Sequence, residues 1–343
     1  TNVARKVESL HAADFDGDGD LDVLSSSSND EKIAWHRNED GLGNFSLQII
    51  ISSRVPEGKA VATADLDGDG DLDALSASEA SGRIAWYENL DGAGTTFSKQ
   101  NIISDNALDA KDVEAVDLDG DGDFDVVSSS HRVAGINNSI HKLAWYENLD
   151  GLGHFGGQHV ISTDVGSDPF YLADFDGDHD PDILYKEASR VAWFENLDGS
   201  TSFAPHYMAG TTNAVRFFPA DVDGDQDTDV LFSRGSFQND TLRWLENLDG
   251  QGHFGNLRMI TTQPQQLKSV QAADLDGDGD QDVLAIYFTA LVWLENTNGA
   301  GDFGEPHVIS SLMNYYDVYA ADLDGDGDLD LTACNGTTTN TKL

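Results

Sequence analysis

A nine-residue pattern, Asp-x-Asp-Gly-Asp-x-Asp-x-Asp, occurs seven times along the 343 residues of this chain. The first three copies hold Asp14, Asp16, Asp18, Asp20 and Asp22; Asp65, Asp67, Asp69, Asp71 and Asp73; and Asp117, Asp119, Asp121, Asp123 and Asp125. The fourth and fifth hold Asp174, Asp176, Asp178, Asp180 and Asp182, then Asp221, Asp223, Asp225, Asp227 and Asp229. The last two hold Asp274, Asp276, Asp278, Asp280 and Asp282, then Asp322, Asp324, Asp326, Asp328 and Asp330. Successive copies start 51, 52, 57, 47, 53 and 48 residues apart. A period of about 50 residues marks a repeat architecture, in which one supersecondary unit is stacked on the next.

Each unit reads as short strands separated by turn residues. An apolar segment such as Val61-Ala62-Thr63-Ala64 precedes the acidic loop, and a second such as Asp125-Val126-Val127-Ser128 follows it. A third carries an Ala-Trp pair, as in Ile84-Ala85-Trp86-Tyr87, and an Asn/Asp/Gly turn leads to a fourth such as His159-Val160-Ile161-Ser162. Runs of this kind, bounded by Gly, Asn and Asp, are strand signals, and no segment sustains a helical period. The expectation is an all-β fold: a seven-bladed β-propeller of four-stranded blades, with residues 1–343 as a single domain. Beyond Asp330 there is no Ala-Trp strand, so the seventh blade is expected to lack its outer two strands. The chain is therefore expected to be a fragment of a larger surface protein. Trp35, Trp86, Trp145, Trp193, Trp244 and Trp293 recur at one strand-three position. That regularity favours packing between blades over a sugar-stacking surface.

The acid is concentrated in the loops. The chain has 62 acidic and 19 basic residues, a formal charge of −43, but 35 of the acids belong to the seven loops. Such a charge opposes binding to nucleic acid or an anionic membrane surface. No apolar run approaches a transmembrane length, and the single cysteine, Cys334, has no internal partner for a disulfide. Five carboxylates within nine residues repel one another unless a cation sits among them. Side chains at positions one, three, five and nine, with the backbone carbonyl of position seven, follow the spacing of the first nine positions of an EF-hand loop. Hard oxygen donors in a flexible loop select Ca2+ over Zn2+, which prefers His and Cys. About seven calcium sites are expected. Position six is glycine in five loops but His179 and Gln226 in the fourth and fifth, and Pro181 precedes the last aspartate of the fourth. These two loops are expected to bind more weakly, yet still to bind.

The loop pattern is followed by Ala-Trp-Tyr-Glu-Asn and then Gly-x-Gly-x-Phe-Gly, as in Gly151-Leu152-Gly153-His154-Phe155-Gly156 and Gly250-Gln251-Gly252-His253-Phe254-Gly255. In these combined motifs the chain resembles the FG-GAP/VCBS repeat family, which includes the integrin α-subunit propeller. The resemblance implies a seven-bladed propeller, calcium in the loops joining first and second strands, and extracellular or cell-surface recognition or adhesion.

In a propeller the loops joining strands 1–2 and 3–4 share one face, and the variable 2–3 and 4–1 loops share the other. The second face holds most of the bases, and a ligand is expected there around Arg132, Tyr171, Arg216, Phe217, Tyr315 and Tyr316. The alternative is that these are solvated loop residues. The expected partner is an extracellular protein or glycan, without nucleic-acid binding or membrane insertion, and with further domains in the parent chain. No nucleophile elbow, His-Glu-x-x-His or Cys–His pair is present, so a non-enzymatic module is expected. The rival readings are a carbohydrate-binding lectin, a calcium-bridged component of a surface coat or fibre, and a polysaccharide lyase or dehydratase. Sequons at Asn44, Asn137, Asn239 and Asn335 would be glycosylation candidates in a eukaryotic host.

Overall fold

In the computed structural model the described residues are 6–46, 48–133, 139–166, 169–187, 190–197, 199, 202–235, 240–263, 266–311, 315–335 and 341–342. Among them the only regular elements are β-strands. The chain divides into two compact units, Thr1–Pro169 with Tyr319–Leu343, and Phe170–Val318.

The first unit contains three four-stranded blades. Blade one is β1 (Val7–Ala13), β2 (Asp22–Ser27), β3 (Lys32–His36) and β4 (Ile49–Ser52). Blade two is β5 (Gly58–Ala64), β6 (Asp73–Ser78), β7 (Arg83–Tyr87) and β8 (Asn101–Ser104). Blade three is β9 (Ala110–Val116), β10 (Asp125–Val133), β11 (Ser139–Tyr146) and β12 (His159–Ser162). The second unit contains three more. Blade four is β13 (Tyr171–Ala173), β14 (Asp182–Glu187), β15 (Arg190–Asn196) and β16 (Phe203–Tyr207). Blade five is β17 (Ala214–Ala220), β18 (Asp229–Arg234), β19 (Asp240–Asn247) and β20 (Phe254–Gln263). Blade six is β21 (Leu267–Ala273), β22 (Asp282–Tyr287), β23 (Leu291–Leu294) and β24 (His307–Ser310). Every blade is an antiparallel meander in chain order.

The fold is thus an all-β β-propeller of six blades, and the expectation of seven is corrected. The seventh repeat forms only a three-stranded sheet of β25 (Tyr315–Ala321), β26 (Asp330–Asn335) and the two-residue β27 (Thr341–Lys342). It has no counterpart of the strand-three tryptophan that each of the other six blades carries. In the first unit Ala321 and Leu323 of this repeat pack with Val7, Leu10 and Val23 of blade one.

Second strands are the most enclosed elements, with every residue of β2, β6 and β22 buried. A strand covered on both faces needs small or apolar side chains throughout, which explains runs such as Val23-Leu24-Ser25-Ser26. One register repeats in all six blades: the strand-three tryptophan lies opposite an aliphatic residue of strand two. The pairs are Leu24–Trp35, Leu75–Trp86, Val127–Trp145, Leu184–Trp193, Leu231–Trp244 and Leu284–Trp293.

Four of the six tryptophans, Trp35, Trp86, Trp193 and Trp244, pack between blades. The Trp35 ring lies beneath Gly94 of blade two and donates from Nε1 to the Gly94 carbonyl at 2.8 Å. Trp86 lies in the same way beneath Gly153 of blade three, Trp193 beneath Gly252 of blade five and Trp244 beneath Gly301 of blade six. A methyl group at Gly252 would stand 2.6 Å from Cζ2 of Trp193, so the second glycine of these four turns is required by close approach as well as by its positive φ.

An asparagine adds a polar clamp. Asn89, buried at the end of strand three, donates through Nδ2 to the Leu72 carbonyl of its own loop at 3.4 Å and to the Phe15 carbonyl of the preceding loop at 3.2 Å. Its Oδ1 accepts from the Gly94 amide at 3.1 Å. Asn148, Asn247 and Asn296 reach back to Leu66, Phe175 and Val222 at 2.9 Å each. Asn38 does the same to Leu323 of the seventh repeat at 2.7 Å.

Candidate metal centres

The seven acidic loops fold alike because their aspartates bond their own backbone. In each, the position-six amide donates to the position-one carboxylate at 3.0–3.1 Å. The position-seven amide donates to position five, for example Asp71 to Asp69 at 3.0 Å. These are Asx-type turns, the local bonding that favours Asp in tight loops. Position nine anchors the loop base. Its Oδ2 accepts the position-two amide at 2.9–3.3 Å in all seven loops. Its Oδ1 accepts the amide of the strand-three asparagine at 2.7–2.9 Å in the six blades.

What remains is a set of carboxylate oxygens with nothing to bond. Asp67, Asp176 and Asp223 at position three, and Asp14 and Asp117 at position one, each hold a buried Oδ1 without a hydrogen-bond partner. Leaving a buried charged acceptor unsatisfied is costly. These oxygens converge: Asp65, Asp67 and Asp73 offer ligand atoms within 4.8 Å of one another, as do Asp117, Asp119 and Asp121, and Asp174, Asp176 and Asp182. Asp14, Asp16 and Asp18 form such a group, and so do Asp221, Asp223 and Asp225. The clusters can hold a metal ion, and an all-oxygen donor set fits a hard divalent cation. The position-seven side chains of Asp20, Asp71, Asp123, Asp227 and Asp280 stand instead against Gly41, Gly92, Gly151, Gly250 and Gly299 of the 3–4 turns.

The electrostatics show the same need for a cation. Burial pushes the position-nine carboxyls of Asp22, Asp73 and Asp125 up to about 7, although their backbone hydrogen bonds act in the opposite direction. Asp182 and Asp229 rise to about 8 for the same cause. Position three is also raised by burial and then by neighbouring acids, to about 6 at Asp176. Those neighbours include Glu88, Glu147, Glu195 and Glu246 of the Trp-x-Glu-Asn segments, which act on Asp67, Asp119, Asp176 and Asp223. These glutamates lie outside the aspartate pattern from which the metal ligands are read. Their signal was position two residues after each tryptophan.

Position six behaves as its residues dictate. Gly70 adopts φ +95°, and His179 and Gln226 are held at +76° and +74°, where a side chain is strained.

Of the six ligand candidates at the opposite end, Phe217 and Tyr315 are core residues, 2% and 1% exposed. The Tyr315 hydroxyl bonds Ser310 Oγ at 2.9 Å. Tyr171 is half-buried and edge-on to Phe217 and Phe218 at 5.7 and 5.1 Å. The Arg216 guanidinium bonds the Lys268 carbonyl and, at 2.9 Å, the Val215 carbonyl. The side chains of Arg132 and Tyr316 lie outside the described residues, as do Asn137 and Asn239. In the first unit Lys6, Glu8, Lys59, Glu79 and Lys111 form a continuous ladder of ion pairs, 2.5–3.2 Å apart. Exposed Leu90, Leu149 and Leu248 sit on the 3–4 turns beside the acidic loops, a feature that charge counting overlooks.

FG-GAP-like repeats match residues 14–76, 65–128, 221–285 and 274–333, more than half of the chain. The chain belongs to the FG-GAP-like repeat family. The matched FG-GAP segments omit the fourth acidic loop, the one with His179 and Pro181. No curated protein matches the chain. Among solved structures, BBS1N in complex with ARL6DN is similar at 12% identity and a TM-score of 0.59, over 100% of this chain and 93% of that one. A functionally unknown protein from Desulfotomaculum acetoxidans is similar at 12% identity and a TM-score of 0.55, over 92% and 93%. At such identities the likeness shows the fold alone. The FG-GAP β-propeller is a binding and recognition fold, typically non-enzymatic and typical of extracellular proteins, and its repeats often bind calcium. Among the described residues no helix is long and apolar enough to cross a membrane.

Proposed function

We propose that the chain is a calcium-binding recognition module that works outside the cell, with Ca2+ in the acidic loops and no catalytic role of its own. The observation that carries this reading is that in loop after loop three aspartates bring ligand oxygens within 4.8 Å of one another, and at least one of the three holds a buried oxygen without a hydrogen-bond partner, such as Asp67, Asp176 or Asp223. A bound Ca2+ satisfies those oxygens and neutralises the mutual repulsion of the aspartates. Extracellular modules bind calcium with Kd of roughly 10⁻⁴–10⁻³ M. At about ten times Kd each filled site adds roughly 1.4 kcal/mol to stability. Several sites together should therefore raise the melting temperature by about 10 °C or more. Scanning calorimetry with calcium and with EDTA tests this, and an unchanged melting temperature refutes it.

The ligand, an extracellular protein or a glycan, is assigned to the end of the blades opposite the acidic loops. Support comes from the bases gathered at this end of the strands, such as Lys59, Arg83, Lys111, Arg190 and Lys268, on a rigid scaffold. A glycan array and a binding screen against extracellular proteins separate the two partner classes. Binding that survives alanine at both Tyr171 and Arg132 would move the site elsewhere, with the exposed leucines of the 3–4 turns as the next surface to mutate.

A further inference from the structure

The first acidic loop faces a residue of opposite sign from the one its counterparts face. Two positions after the strand-three tryptophan, blades two to six carry Glu88, Glu147, Glu195, Glu246 and Glu295, whereas blade one carries Arg37. The Arg37 guanidinium reaches into the loop, with Nε 2.8 Å from Asp16 Oδ2 and Nη2 2.9 Å from Asp18 Oδ2. It thereby bridges positions three and five, two of the three carboxylates that converge in this loop. Its backbone is fixed on both sides of the reach: the Arg37 amide donates to Ser46 Oγ at 3.0 Å, and the next amide, Asn38, donates to Asp22 Oδ1 at 2.7 Å. Arginine is always charged, and its planar fork of donors suits two carboxylate oxygens at once. A divalent ion entering this loop would have to break the Nη2–Asp18 hydrogen bond and the Nε–Asp16 ion pair, and then lie beside the displaced positive charge.

We propose that Arg37 is the resident cation of the first loop, which remains calcium-free while the other loops load. This rests on the calcium reading above and changes its stoichiometry: blade one is pinned by an internal ion pair that no chelator removes.

Native mass spectrometry of the full chain over a calcium titration, with circular dichroism to verify folding, provides the test. Arg37→Glu, which restores the residue of the other five blades, should bind one calcium more than the unmodified protein. Adding Asp16→Asn to Arg37→Glu should remove that extra equivalent, while Asp16→Asn alone should leave the wild-type count unchanged. Should Arg37→Glu not fold, Arg37→Gln removes the cation without adding an acid and should gain the same equivalent with about tenfold weaker affinity than the other loops. Equal counts for wild type and the Arg37 variants, with one equivalent lost on Asp16→Asn alone, would show that calcium displaces the arginine and would overturn the proposal only. Absence of calcium from every form would overturn it together with the calcium reading.

Discussion

Loops two and four have the same shape but not the same residues. Position six donates to position one at 3.0 Å in both, from Gly70 in one and His179 in the other. Position four donates to position one at 2.8 and 2.7 Å, and position two to position nine at 3.1 and 3.0 Å. The strand-three asparagine donates to position nine at 2.9 and 2.8 Å. A histidine is thus carried into left-handed backbone by bonds it does not itself make with its side chain. The aspartates determine the loop's path, and glycine determines only how easily the path is taken. The fourth loop also pairs its facing glutamate, Glu195, with His206 at 2.5 Å, whereas Glu88 of the second loop has no cation partner among the described residues.

The largest effect that would sharpen this comparison is that of pH on the calcium-free protein. The folded-state values of about 7 for Asp73 and about 8 for Asp182 lie well above the unfolded value near 4. The folded chain therefore holds protons that the unfolded chain has already released. These groups stabilise fully at the acidic end, and their contribution is lost as pH rises through 7 and then 8. Urea melts in EDTA should show stability falling from pH 5 to pH 8.5, with calcium abolishing the trend. Hydrogen exchange should show the loss at Leu66, the amide bonded to Asp73, and at Phe175, the amide bonded to Asp182.

Next in size is removal of the base anchor. Asp73→Ala and Asp182→Ala each strand two buried backbone donors, so each should cost about 3 kcal/mol in calcium, measured by chemical denaturation. Equal costs would show one shared scaffold; a difference above about 1 kcal/mol would break the comparison. The smallest effect concerns position six. His179→Gly should gain about 0.5–1 kcal/mol and tighten calcium at that loop, while Gly70→Ala should lose about 1 kcal/mol. A neutral result at both would mean that glycine matters there for ion access and not for backbone conformation.

The repeat, the strand order, the inter-blade tryptophans and the loops were legible in the sequence because each is a local pattern repeated at a fixed spacing. The number of blades was not. Counting acidic loops counts the first and second strands of each unit, while each full blade also carries a strand-three tryptophan that has no counterpart in the seventh repeat. The opposite end was legible only in outline. Phe217 and Tyr315 have the composition of a binding surface, yet strand alternation turns them into the core, and a one-residue difference in register decides between the two fates. Arg37 stood in plain view as a departure from Trp-x-Glu-Asn, but only its distance to Asp16 and Asp18 gives that departure a meaning.

The clamp formed by Asn89, Asn148, Asn247 and Asn296 always reaches toward the preceding blade, and the glycine roof always covers the preceding blade's tryptophan. Repeats two, three, five and six each therefore bring a clamp and a roof to the repeat before them, a head-to-tail joint and not a mirror-symmetric one. Duplication of one unit of about 50 residues copies both halves of the joint together, so a new blade arrives already able to grip its neighbours. An array grammar of this kind lets a lineage lengthen or shorten the protein by whole repeats without redesigning an interface.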